Sequence, residues 1–109
     1  MAAPVAWTDV DIDLEAAEPM QVTTVAGRRL LFTRAGASWH VTDALCPHKF
    51  APLEEGTLAG CHLTCPVHEA TFDLRSGDPL DGDGWAGHLE TYAVRQASDA
   101  KGGLQVDLP

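Results

Sequence analysis

Two short stretches of the chain offer the same pair of side chains in the same order. Cys46-Pro47-His48 is followed by sixteen residues and then by Cys65-Pro66-Val67-His68, so each stretch presents one thiolate and one imidazole. Few features constrain a fold more, because four donors split between two loops oblige both loops to converge. Soft thiolates suit iron-sulfur clusters and zinc, while imidazole suits iron and zinc, so donor type alone leaves two candidates. Zinc sites more often separate the first pair by about two to four residues. Cys46 and His48 are separated by one, which favours a cluster. Pro47 and Pro66 fix φ beside each cysteine and remove an N–H, stiffening both loops and leaving neighbouring amides to face the sulfurs.

The segments around these loops read as strands. Behind Trp7, Val10, Ile12 and Leu14 alternate with Asp9, Asp11, Asp13 and Glu15, an acidic lead compatible with a strand or an exposed connection. Met20 to Val25 and Arg28 to Arg34 flank Ala26-Gly27 as a hairpin. After the Ala35-Gly36 turn, Ser38 to Thr42 is expected to send Trp39 and Val41 inward and His40 and Thr42 outward. Pro52 to Gly56 is punctuated like a turn with a short helical piece. His62 to Thr64 and Thr71 to Asp73 are brief strands, the second followed by an Arg75-Ser76-Gly77 turn. Asp78 to Gly87 is a loop carrying Trp85. His88 to Val94 and Leu104 to Leu108 close the chain as strands around a Ser98 to Gly103 turn, with Leu104, Val106 and Leu108 alternating against Gln105 and Asp107. No segment sustains a helical period, and many short strands with regular turn signals predict an all-β sandwich or barrel.

On the two donor pairs, Leu53-x-x-Gly56 between them, Phe72-Asp73 after them and Gly77, the sequence resembles a Rieske-type ferredoxin. The resemblance implies a single domain, 1–109, in which an antiparallel β base carries a small cluster-binding subdomain at about 43–82. It implies one Rieske-type [2Fe-2S] cluster per chain, with Cys46 and Cys65 on the buried iron and His48 and His68 on the outer one, nearest the loop tips. Replacing two thiolates by neutral imidazoles removes negative charge and raises the potential of such a centre. Respiratory members carry an extra, mutually bonded cysteine in each loop, where this chain has Ala51 and Val67. They also carry a serine and a tyrosine whose hydroxyls bond to sulfur, where this chain has Ala70 and Phe72. Missing donors put the expected potential near the bottom of the span of about −150 to +300 mV, as in ferredoxins of bacterial aromatic-ring oxygenases. Glu69, Lys49 and Phe50 are less usual at their positions.

The implied function is a soluble, monomeric one-electron carrier between a flavin-containing, NAD(P)H-dependent ferredoxin reductase and a terminal oxygenase. That oxygenase would be a ring-hydroxylating dioxygenase or part of a multicomponent monooxygenase. A net charge of −9 excludes binders of nucleic acid or anionic membranes, which need a positive face, and it suits steering toward basic partner patches. The first cation is Arg28, with neither a signal-like lead nor an apolar run of membrane-spanning length, so a cytoplasmic location is expected. Catalysis by this chain is not expected: only about forty residues follow His68, too few for the mononuclear iron domain of an oxygenase. Two other readings use the same residues: a zinc-stabilised interaction module, and a small subunit permanently bound to a larger reductase. Among the remaining residues, Cys61 reads as a small, partly buried turn residue, Trp39 as core, and His40, His62 and His88 as surface or hydrogen-bonding side chains. Trp85 and Phe50 either rim the cluster tip, where they could dock a partner, or pack beneath the Gly-rich loop.

Overall fold

The computed structural model describes residues 7–10, 12, 18–35, 38–46, 52–66, 70–80, 88–96 and 103–107. In chain order, β1 (Trp7–Val10), β2 (Met20–Val25), β3 (Arg28–Ala35) and β4 (Ser38–Asp43) precede a 3-10 turn at Leu53–Glu55. They are followed by β5 (Thr57–Ala59), β6 (His62–Thr64), β7 (Thr71–Asp73), β8 (Thr91–Tyr92), β9 (Val94–Gln96) and β10 (Leu104–Asp107). The strands form three antiparallel sheets, ordered β1-β10-β9, β2-β3-β4-β8 and β5-β6-β7. The fold is all-β, as its turn punctuation and lack of helical period require. No helix among the described residues is long and apolar enough to cross a membrane.

The longest hairpin follows directly from local chemistry. Ala26 at φ 51° and Gly27 at φ 82° put two positive-φ residues between β2 and β3, the conformation of a type I′ turn, whose twist matches that of the strands it joins. Along β3, Leu30, Leu31, Phe32 and Thr33 are all fully buried, so this strand is covered on both faces. Leu30 and Phe32 join Val10, Val25, Val41, Leu104 and Val106 in the core of the base. Leu31 points the other way, into a second core with Ala44, Leu53, Leu63, Phe72, Leu74 and Leu89. One strand is therefore the wall between two cores, and the second contains Cys46 and Cys65.

The acidic lead begins as a strand: β1, Trp7–Val10, pairs with β10, and Val10 and Ile12 are buried, while Asp11, Asp13 and Glu15 lie outside the described residues. Leu104 and Val106 are buried against half-buried Gln105 and Asp107 as the alternation requires, while Leu108 and Leu14 lie outside the described residues. Two expectations are corrected, and one strand is added. Thr42 points into buried space, because β4 lies between β3 and β8 and is covered on both faces. The segment expected as one strand from His88 to Val94 is two, split at Ala93: β8 pairs with β4 and β9 with β10, and the Ala93 carbonyl accepts a 2.9 Å bond from the Asp107 amide. Alternation reports which face a residue occupies but not which sheet it joins. Thr57–Ala59, unassigned from the sequence, is a third strand beside β6. Three residues between Gly56 and Gly60 are too short to show a period, and only the partner strand defines them.

Candidate metal centre

Each loop that carries candidate donors opens from a backbone neck. The first leaves β4 through Ala44 and Leu45 and returns at Pro52. The Leu53 amide donates to the Ala44 carbonyl at 2.9 Å, and Leu45 and Pro52 form an isolated antiparallel bridge. The second leaves β6 and re-enters β7, and the Cys65 amide donates to the Ala70 carbonyl at 2.7 Å, extending the β6–β7 ladder by one pair. At these necks Cys46 and Cys65 are 0% and 1% exposed, and both belong to the core of Ala44, Leu53, Leu63, Ala70 and Phe72. The fold thus brings together the two cysteines singled out in the sequence. His48 and His68 lie outside the described residues, as do Pro47, Lys49, Phe50, Ala51, Val67, Glu69 and Trp85.

Two glycines hold the surroundings of these necks at distances no other residue permits. After the first loop, Leu53 is fully buried and the 3-10 turn closes with the Gly56 amide on the Leu53 carbonyl at 3.0 Å. A Cβ on Gly56 would collide with the Thr64 carbonyl, so the return of the first loop lies directly on the residue that precedes Cys65. The Gly77 amide, at φ 80°, donates to the Asp73 carbonyl at 2.6 Å, and the Gly77 carbonyl accepts from the Leu89 amide at 2.8 Å. A Cβ there would collide with the Leu89 carbonyl. Phe72 is fully buried and Ala70 nearly so, and neither side chain offers a hydroxyl.

The charged groups nearby are arranged on the outside of this sheet. The Arg75 guanidinium bonds the Asp73 carboxylate through Nε at 3.0 Å and Nη2 at 2.9 Å, and the Arg75 amide adds a third bond at 2.9 Å. Together they hold that carboxyl down at about 2. His40 is lowered, first by burial and then by Arg75. His88 Nε2 is 2.9 Å from the Ser76 carbonyl and 3.6 Å from Asp78, and His62 is exposed. In the base, Tyr92 donates to Asp43 at 2.6 Å and is pushed up to about 12, mainly by burial. Cys61 is the half-buried second residue of the Gly60-Cys61 turn, and its carbonyl accepts the Leu74 amide at 2.8 Å, in keeping with a structural role. Trp39 packs half-buried against the base core, with the Arg34 guanidinium 5.8 Å from its ring centre.

The residues present fit an iron-sulfur group. Cys46 and Cys65 both lie in one buried apolar core, where a thiolate would be tolerated if a metal took up its charge. One feature of the centre escaped the sequence: Thr64 and Thr71 join hydroxyl to hydroxyl at 3.0 Å beside the second neck. Its signal was present in two threonines that fall opposite one another once β6 and β7 are paired, but neither residue type announces a site alone.

Comparison with known proteins agrees with this geometry. Residues 6–93 match the model of the Rieske [2Fe-2S] domain. The chain is 35% identical over 72 residues to the ferredoxin component of the naphthalene 1,2-dioxygenase system of Pseudomonas putida, covering 66% of this chain and 68% of that protein. Among solved structures, it is similar to a chain in the complex of reduced oxygenase and oxidized ferredoxin in carbazole 1,9a-dioxygenase, with a TM-score of 0.77, 25% identity and coverage of 93% and 92%. The ferredoxin of carbazole 1,9a-dioxygenase from Nocardioides aromaticivorans IC177 shares the fold, with a TM-score of 0.74, 23% identity and coverage of 94% and 95%. With two buried cysteines at the necks of paired loops, and a family match over most of its length, the chain belongs to the Rieske [2Fe-2S] domain family.

Proposed function

We propose that this chain is the ferredoxin of a multicomponent aromatic-oxygenase system, carrying single electrons from a flavin-containing, NAD(P)H-dependent reductase to a terminal oxygenase in the cytoplasm. The observation that carries the reading is the convergence of Cys46 and Cys65 in one core, each at the neck of a loop that continues to a histidine. In this reading Cys46 and Cys65 hold one iron of the cluster and His48 and His68 the other, within a subdomain at about 43–82 of a single domain. When bound, the [2Fe-2S] group supplies one reversible electron. The residues of the chain do the rest: the tied necks limit movement of the donors between oxidation states, and the apolar walls keep water from the sulfurs. The similarity to the naphthalene dioxygenase ferredoxin supports an oxygenase as the acceptor.

Carbon side chains at Ala70 and Phe72 support a low potential, since hydroxyl bonds to sulfur would stabilise the more negative reduced state. Voltammetry that placed the couple clearly above the hydrogen electrode would count against this part. The experiment for the whole reading is an EPR spectrum of the purified protein before and after dithionite. A signal that is silent when oxidised and appears on reduction, with the low average g-value of an imidazole-ligated two-iron centre, is expected. Colourless protein with one zinc per chain would instead make the chain a structural module.

A further inference from the structure

The hydroxyl pair of Thr64 and Thr71 stands where both donor loops are fastened. Thr64 immediately precedes Cys65, Thr71 immediately follows Ala70, and the two are register partners across β6 and β7. Because Cys65 and Ala70 are joined by a backbone bond, the next pair inward is of the non-hydrogen-bonded kind, in which side chains approach most closely. The 3.0 Å hydroxyl contact supplies the cross-strand link that the backbone does not make at this pair. Thr64 is held on its other side as well, since its carbonyl lies against Gly56 at the end of the first loop's return. Each of these strands has only three residues, and short ladders fray from their ends. The Thr64 and Thr71 hydroxyls lie at the end of the ladder that faces the donors.

We propose that Thr64 and Thr71 are positioning residues for the cluster: their hydroxyl bond keeps the second neck closed and so fixes Cys65 relative to Gly56 at the return of the first loop. This rests on the reading of Cys65 as a cluster donor. Opening the neck would break the Cys65–Ala70 bond, release the Thr64 carbonyl from Gly56 and admit water to the sulfurs. Closure therefore governs how tightly the cluster is kept and how uniform its surroundings are, apart from the stability of the fold.

Thr64→Val with Thr71→Val tests this on the intact holoprotein. Removing both partners together leaves no orphaned hydroxyl, keeps the side-chain shape and places a strong strand former at each site, so the thermal midpoint should change little. Two readouts should move. Bleaching of the visible absorbance in the presence of a chelator should quicken on the order of tenfold, the lower end of what partners behind metal ligands contribute. The EPR lines of the reduced state should broaden as the neck samples more than one position. Serine at both sites keeps the hydroxyls and should restore both readouts. Parental bleaching and line widths in the double valine variant would overturn the proposal. So would faster bleaching that serine fails to restore, since that identifies methyl packing as the cause. The spectrum of the unmutated protein distinguishes failure of the donor reading, because without a Rieske signal there the donors themselves are wrong.

Discussion

Six registered pairs join β2 to β3, whereas three join β6 to β7. The longer hairpin belongs to the base and is held by repetition: apolar side chains recur along it, and losing one leaves many. The shorter hairpin carries the second donor loop and is held by single positions, namely a glycine without room for a methyl group, a hydroxyl pair and one backbone bond at the neck. Stability in the base is spread out, while order in the donor sheet is concentrated. A ladder of three pairs gains too little from pairing alone to fix metal donors, so point contacts must do so.

The strongest challenge to this contrast is a matched pair of core truncations. Phe32 and Phe72 are both fully buried, one in the base core and the other in the core that contains Cys46 and Cys65. Replacing either with alanine should cost about 3–5 kcal/mol of stability by chemical denaturation. Phe32→Ala should lower stability and leave the reduced EPR spectrum as it was. Phe72→Ala should lower it comparably and also shift the spectrum or shed the cluster. Identical spectra from the two variants would show that the cores are not separate in function.

The same contrast explains what could be read in the sequence. The β2–β3 hairpin was legible because Ala26-Gly27 announces a tight turn between two runs long enough to read as strands, of six and eight residues. Cys46, His48, Cys65 and His68 stood out as candidate donors because their spacing has few other meanings, and of the four the described residues place Cys46 and Cys65, in one core. Thr57–Ala59 was not, being shorter than any period, nor was the break at Ala93, which depends on which sheet has room for the next residue. Gly56 and Gly77 were visible as part of a resemblance, but their reason was not: it is the carbonyl of a residue far along the chain that excludes a side chain.

A smaller effect sharpens the comparison at glycine. Gly27 and Gly77 have nearly the same φ, 82° and 80°, but nothing lies within 4 Å of a Cβ on Gly27, whereas one on Gly77 meets the Leu89 carbonyl. Gly27→Ala should cost only the strain of a positive φ, about 1 kcal/mol. Gly77→Ala adds a collision with backbone and should cost about 3 kcal/mol by the same denaturation measurement. Equal costs would mean that the Leu89 segment yields, and that the donor sheet is less exactingly packed than its glycines imply.

The smallest effect separates the two regions by pH. Asp73, in the donor sheet, titrates at about 2 instead of 3.8 because Arg75 holds its charged form. A carboxyl lowered on folding contributes stability above its unfolded value, so this contribution is complete above pH 3.8 and is lost as the pH falls through about 2. Tyr92, in the base, is raised from 10 to about 12 by burial and by its bond to Asp43, against the opposing pull of Arg28. Its neutral form is the one the fold favours, so its contribution is complete below pH 10 and is lost as the pH rises through about 12. Thermal midpoints followed across pH should lose part of the acid slope in Asp73→Asn and part of the alkaline slope in Tyr92→Phe. Salt distinguishes the two further. The Arg75 side chain is 65% exposed, so added salt should weaken the acid term. The Tyr92–Asp43 bond is partly buried and joins a neutral donor to an anion, so the alkaline term should persist. Equal salt sensitivity at both ends would mean that the Asp43 contact is as open to solvent as the Asp73 pair, and that the base is not the better-shielded region.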